Sequence, residues 1–280
     1  MKILVIGPNG FVGSHLTKRL RGDGHTLWFI HRNNFPVLPD ALDAVINCAA
    51  RIDSTDTMYQ DNVGSVIGWL QIARSRDARF IQIGSSSETG PVEGLRSETT
   101  VCQPSNLYEA TKLAATNLCL GYAAEYETDV VVARPFSLYG PNNRPHKMLQ
   151  TLWRTWKDEK EFVCYPGGHA WLHIDDFVEG IVSLLHTPYS NTQGHIYHFG
   201  TGISTQNKEI VSIFNESVGG SGVRVKHVQM KYRLYDVIDW RSDSTKARTH
   251  LGWEPKVNIH QGIRRFVHDQ WFEEELSQSL

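Results

Sequence analysis

The residues of this chain best suited to chemistry lie between Gly84 and Lys112. Tyr108-Glu-Ala-Thr-Lys112 sets a phenol four positions before an ammonium. On a helix those two positions share a face, so both groups can point into one cleft. A free tyrosine titrates near ~10 and is a poor base at neutral pH, but a neighbouring cation favours its phenolate. Such a phenol can take a proton from a hydroxyl, or return one to an alkoxide. The same spacing also arises by chance in ordinary amphipathic helices. Upstream, Gly84-Ser-Ser-Ser-Glu88 follows the strand-like run Arg79 to Ile83. A hydroxyl there can hydrogen-bond a reacting oxygen and relay its proton, although a serine run alone is more often a polar turn.

Something must hold these groups together, and the first residues say what. The apolar run Ile3 to Ile6 ends in Gly7, Gly10 and Gly13, after which Phe11, Val12, Leu16 and Leu20 recur at helical spacing. This reads as a strand buried on both faces, followed by an amphipathic helix. Gly7 permits the tight turn, Gly10 lets backbone approach a pyrophosphate, and Gly13 lets the helix pack closely. The helix N-terminus offers its free N–H groups to the anion. The spacing G-x-x-G-x-x-G, not G-x-G-x-x-G, still predicts a dinucleotide site. A nicotinamide, positive when oxidised, would favour the Tyr108 phenolate further.

Strand-like runs recur at 2–6, 26–30, 43–47, 79–83, 129–134 and 195–199, with helical periodicity at 11–21, 62–74, 107–125 and 177–186. This alternation predicts an α/β fold, a doubly wound, Rossmann-type parallel sheet with helices on both faces. Ligands of such sheets bind beyond the carboxyl ends of the strands, where the serine cluster falls. The loop from His31 to Leu42 is too short for the usual third strand and its helix. That strand is expected to be missing, leaving 26–30 at the sheet edge, with Pro36, Pro39 and Asp40 suited to a loop. Residues 1–140 and 172–203 are assigned to the dinucleotide-binding domain. Residues 141–171 and 204–280 form a small C-terminal substrate lobe, with helices expected at 206–218 and 259–273.

The 280 residues carry a net charge of −2, which argues against nucleic acid or an anionic membrane as the main partner. No apolar run approaches the ~20 residues that span a bilayer. The chain opens directly into a strand without a signal-peptide pattern, so a cytoplasmic location is expected. Its four cysteines form no C-x-x-C pair, and its thirteen histidines and eight tryptophans are dispersed. Reduced thiols and no metal site are expected.

Taken together, Gly7/Gly10/Gly13, Asn47-Cys-Ala-Ala50, Ser85 to Ser87 and Tyr108/Lys112 resemble the extended short-chain dehydrogenase/reductases, the nucleotide-sugar epimerase/dehydratase group. Arg134-Pro-Phe-Ser-Leu-Tyr-Gly-Pro141, His173-Ile-Asp-Asp176 and Asp243-Ser-Thr-Lys-Ala247 with Leu251-Gly-Trp-Glu-Pro255 extend the resemblance over nearly the whole chain. It implies that Tyr108 is the acid/base, that Lys112 lowers its pKa and binds ribose, and that Ser86 binds the sugar oxygen. Phe11 and Val12 would meet the pyrophosphate, and Ala49 and Ala50 would line the cofactor. Asn62, also on the cofactor side, would support the active-site helix. Pro135 and Phe136 would lie near the nicotinamide, and Ser87 and Ser137 near the substrate. Asp175 and Asp176 would cap the following helix. A homodimer through 62–74 and 107–125 is also implied.

The departures from the pattern bear on the reaction. His31-Arg32 stands where NAD-using members carry an acidic residue. A carboxylate there accepts ribose hydroxyls, whereas an arginine pairs with a 2′-phosphate, so NADP(H) is preferred and NAD(H) is the alternative. The Ser86-Ser-Glu88 run resembles the Thr-x-Glu of sugar dehydratases, making Glu88 a candidate second base, yet Thr89-Gly90 follows in place of an aromatic residue. The Arg-Asp that usually precedes the Val-Asp-Asp motif is replaced near His169-Ala170, leaving Arg144, Arg241 and His169 as candidates to bind the substrate diphosphate. The expected activity is hydride transfer at a sugar carbon, C4 of a nucleotide-activated hexose, in an NADPH-dependent 4-keto-sugar reductase. A 4-epimerase with tightly bound NAD is the alternative, and a 4,6-dehydratase comes third. A non-enzymatic dinucleotide-binding scaffold on the same fold would typically have lost the tyrosine or the lysine; both are here.

Overall fold

The computed structural model describes every residue except 32–33, 54–56, 189–193, 230–238 and 279–280. Arg32, and with it the proposed 2′-phosphate contact, lies outside the described residues.

Six strands form one sheet: β1 (Lys2–Ile6), β2 (Thr26–Ile30), β3 (Ala44–Asn47), β4 (Arg79–Ile83), β5 (Val130–Pro135) and β6 (His195–Phe199). Their order is β6-β5-β4-β3-β1-β2 and every pairing is parallel. β2 is the edge strand, and between it and β3 the described residues make only an isolated bridge, His31 to Asn34. The winding reverses between β1 and β3, so the crevice above their carboxyl ends is where a doubly wound sheet takes its ligand.

Alternate residues of the strands feed two apolar layers. Ile3, Val5, Ile46, Ile81 and Val131 face one side, where α1 (Phe11–Gly22) packs. Leu4, Val45, Phe80, Val130 and Val132 face the other, covered by α2 (Ser65–Ser75) and α3 (Leu107–Tyr126). Both layers are dry, as an all-parallel sheet requires. A third apolar cluster, with Leu152, Trp153, Phe214 and Phe266 at its centre, joins α4 (Met148–Lys157), α6 (Asn207–Val218) and α8 (Ile259–Gln278). Between α4 and α6 in the chain, α5 (Ile174–His186) belongs to the first layer through Phe177 and Ile181.

Two segments cross the domain limits read from the sequence. The short strand Gly94–Arg96 joins the four-stranded sheet of 205–206, 168–169 and 240–242, because its three residues pair with Trp240–Ser242. Conversely, α7 (Thr245–Leu251) returns to the main sheet, its Ala247 and the nearby Trp253 being part of the first apolar layer. The expected capping role of Asp175 and Asp176 is also corrected. The His173 side chain caps α5 by accepting from the Asp175 N–H at 3.2 Å. Asp176, buried, accepts instead from the backbone N–H groups of Lys256 (3.0 Å) and Val257 (2.9 Å).

Candidate active site

The turn after β1 is tight for identifiable reasons. Gly7 has φ +73°, and a Cβ there would sit 2.9 Å from the Ala49 backbone. At Gly13 a Cβ would stand 2.1 Å from the Gly7 carbonyl oxygen, so only glycine lets α1 start this close to the strand. Gly10 is the N-cap of α1, no side chain caps the helix, and no acidic residue lies in its first turn. The first N–H groups of α1 are left to an anion, which fits a dinucleotide pyrophosphate. Phe11 and Val12 are half-buried against the core beside this turn. Ala49 and Ala50 are half-buried across from it, the Ala49 N–H bonding to Asn47 Oδ1 at 3.1 Å. His31 closes the β2 side through Asn9, at 3.2 Å. Buried Asn62 spends its amide on the Arg51 backbone (2.7 and 2.9 Å) and on Thr111 Oγ1 at 3.0 Å. It ties the cofactor side to α3 rather than facing a ligand.

The start of α3 is fixed by capping. Asn106 accepts from the Glu109 N–H, and Glu109 reaches back to the Ser105 N–H and hydroxyl. This puts Tyr108 in the first turn, half-buried. The Ser85 hydroxyl is close enough to pull the phenol's pKa down. The middle serine, Ser86, is buried and accepts from the Trp240 indole N–H at 3.2 Å. With Ser86 engaged by Trp240, the hydroxyl that acts on the phenol is that of Ser85, one position before the serine expected from the sequence. In a helical turn, successive side chains point in different directions, and Ser85 is the N-cap of the turn Ser86–Thr89. Ser87 donates its backbone N–H to Ser85 Oγ at 3.2 Å.

Lys112 is also buried, and its ammonium donates to the Ile83 carbonyl at 2.6 Å. Burial lowers its pKa, opposed by Glu88. The phenol of Tyr108 is pushed up from its ordinary value, first by burial and then by Glu88, while the Ser85 hydroxyl and Arg144 pull it down. Desolvation outweighs the cations, and the ammonium is spent on the end of β4.

Glu88, the candidate second base, is held by three hydrogen bonds. It is completely buried, its Oε1 accepts from the Ser85 N–H (2.7 Å), and its Oε2 accepts from Thr116 (2.8 Å) and the Arg134 guanidinium (2.7 Å). Arg134 continues to His198 Nε2 at 3.1 Å, and His198 Nδ1 lies 3.2 Å from the Arg96 carbonyl. Glu88 thus forms the floor under Ser85 and positions it.

The remaining candidates spread along the lobe side. Pro135 ends β5, opposite Phe199. Ser137 (φ +24°) bonds to His169 at 3.2 Å, and the His169 ring lies 6.2 Å from that of Trp240. Arg144 is exposed but within electrostatic reach of the phenol. Arg241 is already paired, its Nε donating to both oxygens of Asp239 at 2.8 and 2.9 Å. Among the described residues, no cluster of His, Cys, Asp and Glu could hold a metal, and no helix is long and apolar enough to cross a membrane. All four cysteines are free.

A glycine cradle at the switch point of a parallel sheet, with a half-buried tyrosine and a buried lysine beside a serine, defines a dinucleotide-dependent α/β enzyme of the short-chain dehydrogenase/reductase kind. Residues 3–200 match the model of the NAD dependent epimerase/dehydratase family, and the chain belongs to that family. Nucleotide-sugar enzymes are among its curated relatives. They include a dTDP-glucose 4,6-dehydratase of Streptomyces griseus (29% identical, 97% of this chain, 96% of the relative). A UDP-glucose 4-epimerase of Mycolicibacterium smegmatis is another (26% identical, 95% and 97% covered). Among solved structures, RMD of Pseudomonas aeruginosa complexed with NADPH has the same fold, with TM-score 0.85, 20% identity and 97% and 99% coverage.

Proposed function

We propose that this enzyme reduces a 4-keto group of a nucleotide-activated sugar with NADPH. Bound in the cradle of Gly7, Gly10 and Gly13, the cofactor would supply the hydride. Tyr108 carries the proton, and the Ser85 hydroxyl holds the substrate oxygen beside it. A tyrosine is protonated at neutral pH, and burial here raises its pKa further, which suits the reductive direction, in which the enzyme must deliver a proton. The observation that carries this reading is Glu88. Locked to Arg134 beneath Ser85, it is withdrawn from acid/base work, so the site retains one proton carrier. One carrier suffices for a simple oxidoreduction, whereas a dehydration needs a second acid/base beyond the tyrosine. NADPH is favoured because no carboxylate stands at His31 to Asn34, after β2. The 4-epimerase relative supports a second reading, reversible oxidation with retained NAD; it uses the same tyrosine.

The homodimer suggested by the family resemblance would use the apolar groove of about 600 Å³ lined by Val63, Ala114, Leu118 and Tyr122. Light scattering after gel filtration would test it. For the reaction, mass spectrometry of the mildly denatured protein is decisive. The expected result is an empty site that binds NADPH in the micromolar range and oxidises it against a 4-keto nucleotide sugar. Co-purified stoichiometric NAD would overturn the reductase in favour of the epimerase.

A further inference from the structure

Arg96 is among the most completely buried side chains of the molecule, at 0% exposure. Among the described residues, none of its three guanidinium nitrogens has a hydrogen-bond partner. Buried arginines are ordinarily paired, because five N–H donors taken out of water leave a large desolvation cost uncompensated. The three carboxylates whose charge it feels are Glu93, Asp239 and Glu109, and all are engaged elsewhere. Glu93 accepts from the Asp239 N–H, Asp239 is paired with Arg241, and Glu109 caps the start of α3. What covers the guanidinium is the Trp240 ring, 3.6 Å away. The indole N–H of that ring bonds to Ser86, the neighbour of the phenol's partner Ser85. An unsatisfied planar cation therefore lies one aromatic ring away from the reacting centre.

We propose that Arg96 is the oxyanion receptor of the substrate site, closed by Trp240, and that it takes a phosphate or carboxylate of the nucleotide sugar when that ring moves aside. The assignment rests on the functional reading above and names a residue for the anion contact that Arg241, tied to Asp239, does not offer. A guanidinium suits this role because its N–H pairs match two oxygens of either group. Burial lowers its pKa to about 10, so it remains charged at neutral pH. The half-buried Trp240 ring is held by its hydrogen bond to Ser86, by Arg96 and by the His169 ring, and a ligand with charged oxygens can replace the first two.

The test is calorimetric titration of the full chain loaded with NADPH, using UDP, UDP-glucose, UDP-glucuronic acid and dTDP-glucose as probes. Arg96→Met and Arg96→Lys are compared with the native protein. Loss of a charge-assisted contact should weaken binding roughly 10- to 100-fold in Arg96→Met, with partial recovery in Arg96→Lys. Equal loss for UDP and its sugars would identify the phosphate, and loss confined to UDP-glucuronic acid would identify a sugar carboxylate. Arg96→Met should melt no lower than the native chain, since an apolar side chain removes a buried charge without a partner. Affinities within twofold of native in both variants would overturn the proposal, as would failure of both variants to fold, which would make Arg96 a structural cation. If the native chain binds none of the four probes, the functional reading itself falls and takes the proposal with it.

Discussion

Arg134 and Arg96 are both fully buried, they flank the same site, and they are opposites. Arg134, on β5, sits in the floor, with one amino group on Glu88 and another on His198. Arg96, in the wall where the lobe sheet begins, has an aromatic face and, among the described residues, no side-chain hydrogen bond. His198 joins them, accepting from one and reaching the backbone of the other. The Arg134–Glu88 ion pair, although it leaves the Arg134 Nε without a hydrogen bond among the described residues, positions its neighbours at little net gain, whereas a buried cation with no charged partner is a standing cost that a ligand can relieve. The floor is therefore read as scaffold for Ser85 and Tyr108, and the wall as the part that meets what enters.

The largest effects should come from the groups the floor supports. Tyr108→Phe should lower kcat by roughly 10²- to 10⁴-fold, the usual worth of a positioned acid, with NADPH affinity unchanged by fluorescence titration. Ser85→Ala should cost about 10²-fold, and Ser86→Ala only a few-fold, by its Trp240 contact. Reversal of the two serines would show that the floor does not act through Ser85. Stability comes next and contrasts the arginines directly. Arg134→Met strands Glu88 as an unpaired buried charge and should cost about 3–5 kcal/mol in urea unfolding. Arg96→Met should cost nothing. Equal losses in both would erase the distinction.

A smaller effect concerns His198, which burial, with help from Arg134, pushes down to about 3. Its Nε2 accepts from Arg134, so a proton arriving there would face a guanidinium. Below the unfolded value of 6.5 the unfolded chain binds a proton that the folded one refuses. Stability is thus fully present above that value and falls as the pH drops towards 3, by up to about 1.4 kcal/mol per pH unit. Urea unfolding from pH 7 to 4.5 should show a gentler slope for His198→Gln than for the native chain. Parallel curves would mean that His198 is protonated in the fold.

What could be read in advance follows the same division. The six long strands announce themselves as apolar runs, and the glycine turn after β1 by its spacing, because repeating backbone geometry imposes repeating residue types. The lobe sheet is made of strands two or three residues long, such as Gly94–Arg96 and Thr205–Gln206. Such lengths hold no alternation to detect. Arg96 consequently reads as a loop arginine. In the run Ser85 to Ser87 the composition is uniform, and only the direction of each Cβ in the turn selects the one that meets Tyr108. Glu88 looks like an exposed base until Arg134, 46 positions away, is seen to claim it. Long-range pairing leaves no local trace.

The finest test of the floor is electrical. The Glu88 charge raises the Tyr108 pKa, and Ser85 and Arg144 lower it. Glu88→Gln keeps the shape, and its carbonyl can still accept from the Ser85 N–H, so Ser85 stays in place. The substitution removes the negative charge and leaves that of Arg134 unneutralised. Both changes favour phenolate, so the pKa of Tyr108 must fall. In the reductive direction the protonated phenol is the active form, and the alkaline limb of kcat/KM should move to lower pH, by under about one unit. A side chain that merely packs would lower kcat or stability without moving the limb. A limb that stays in place while activity falls would reduce Glu88 to packing. A limb that moves upward would mean that a group other than Tyr108 sets it.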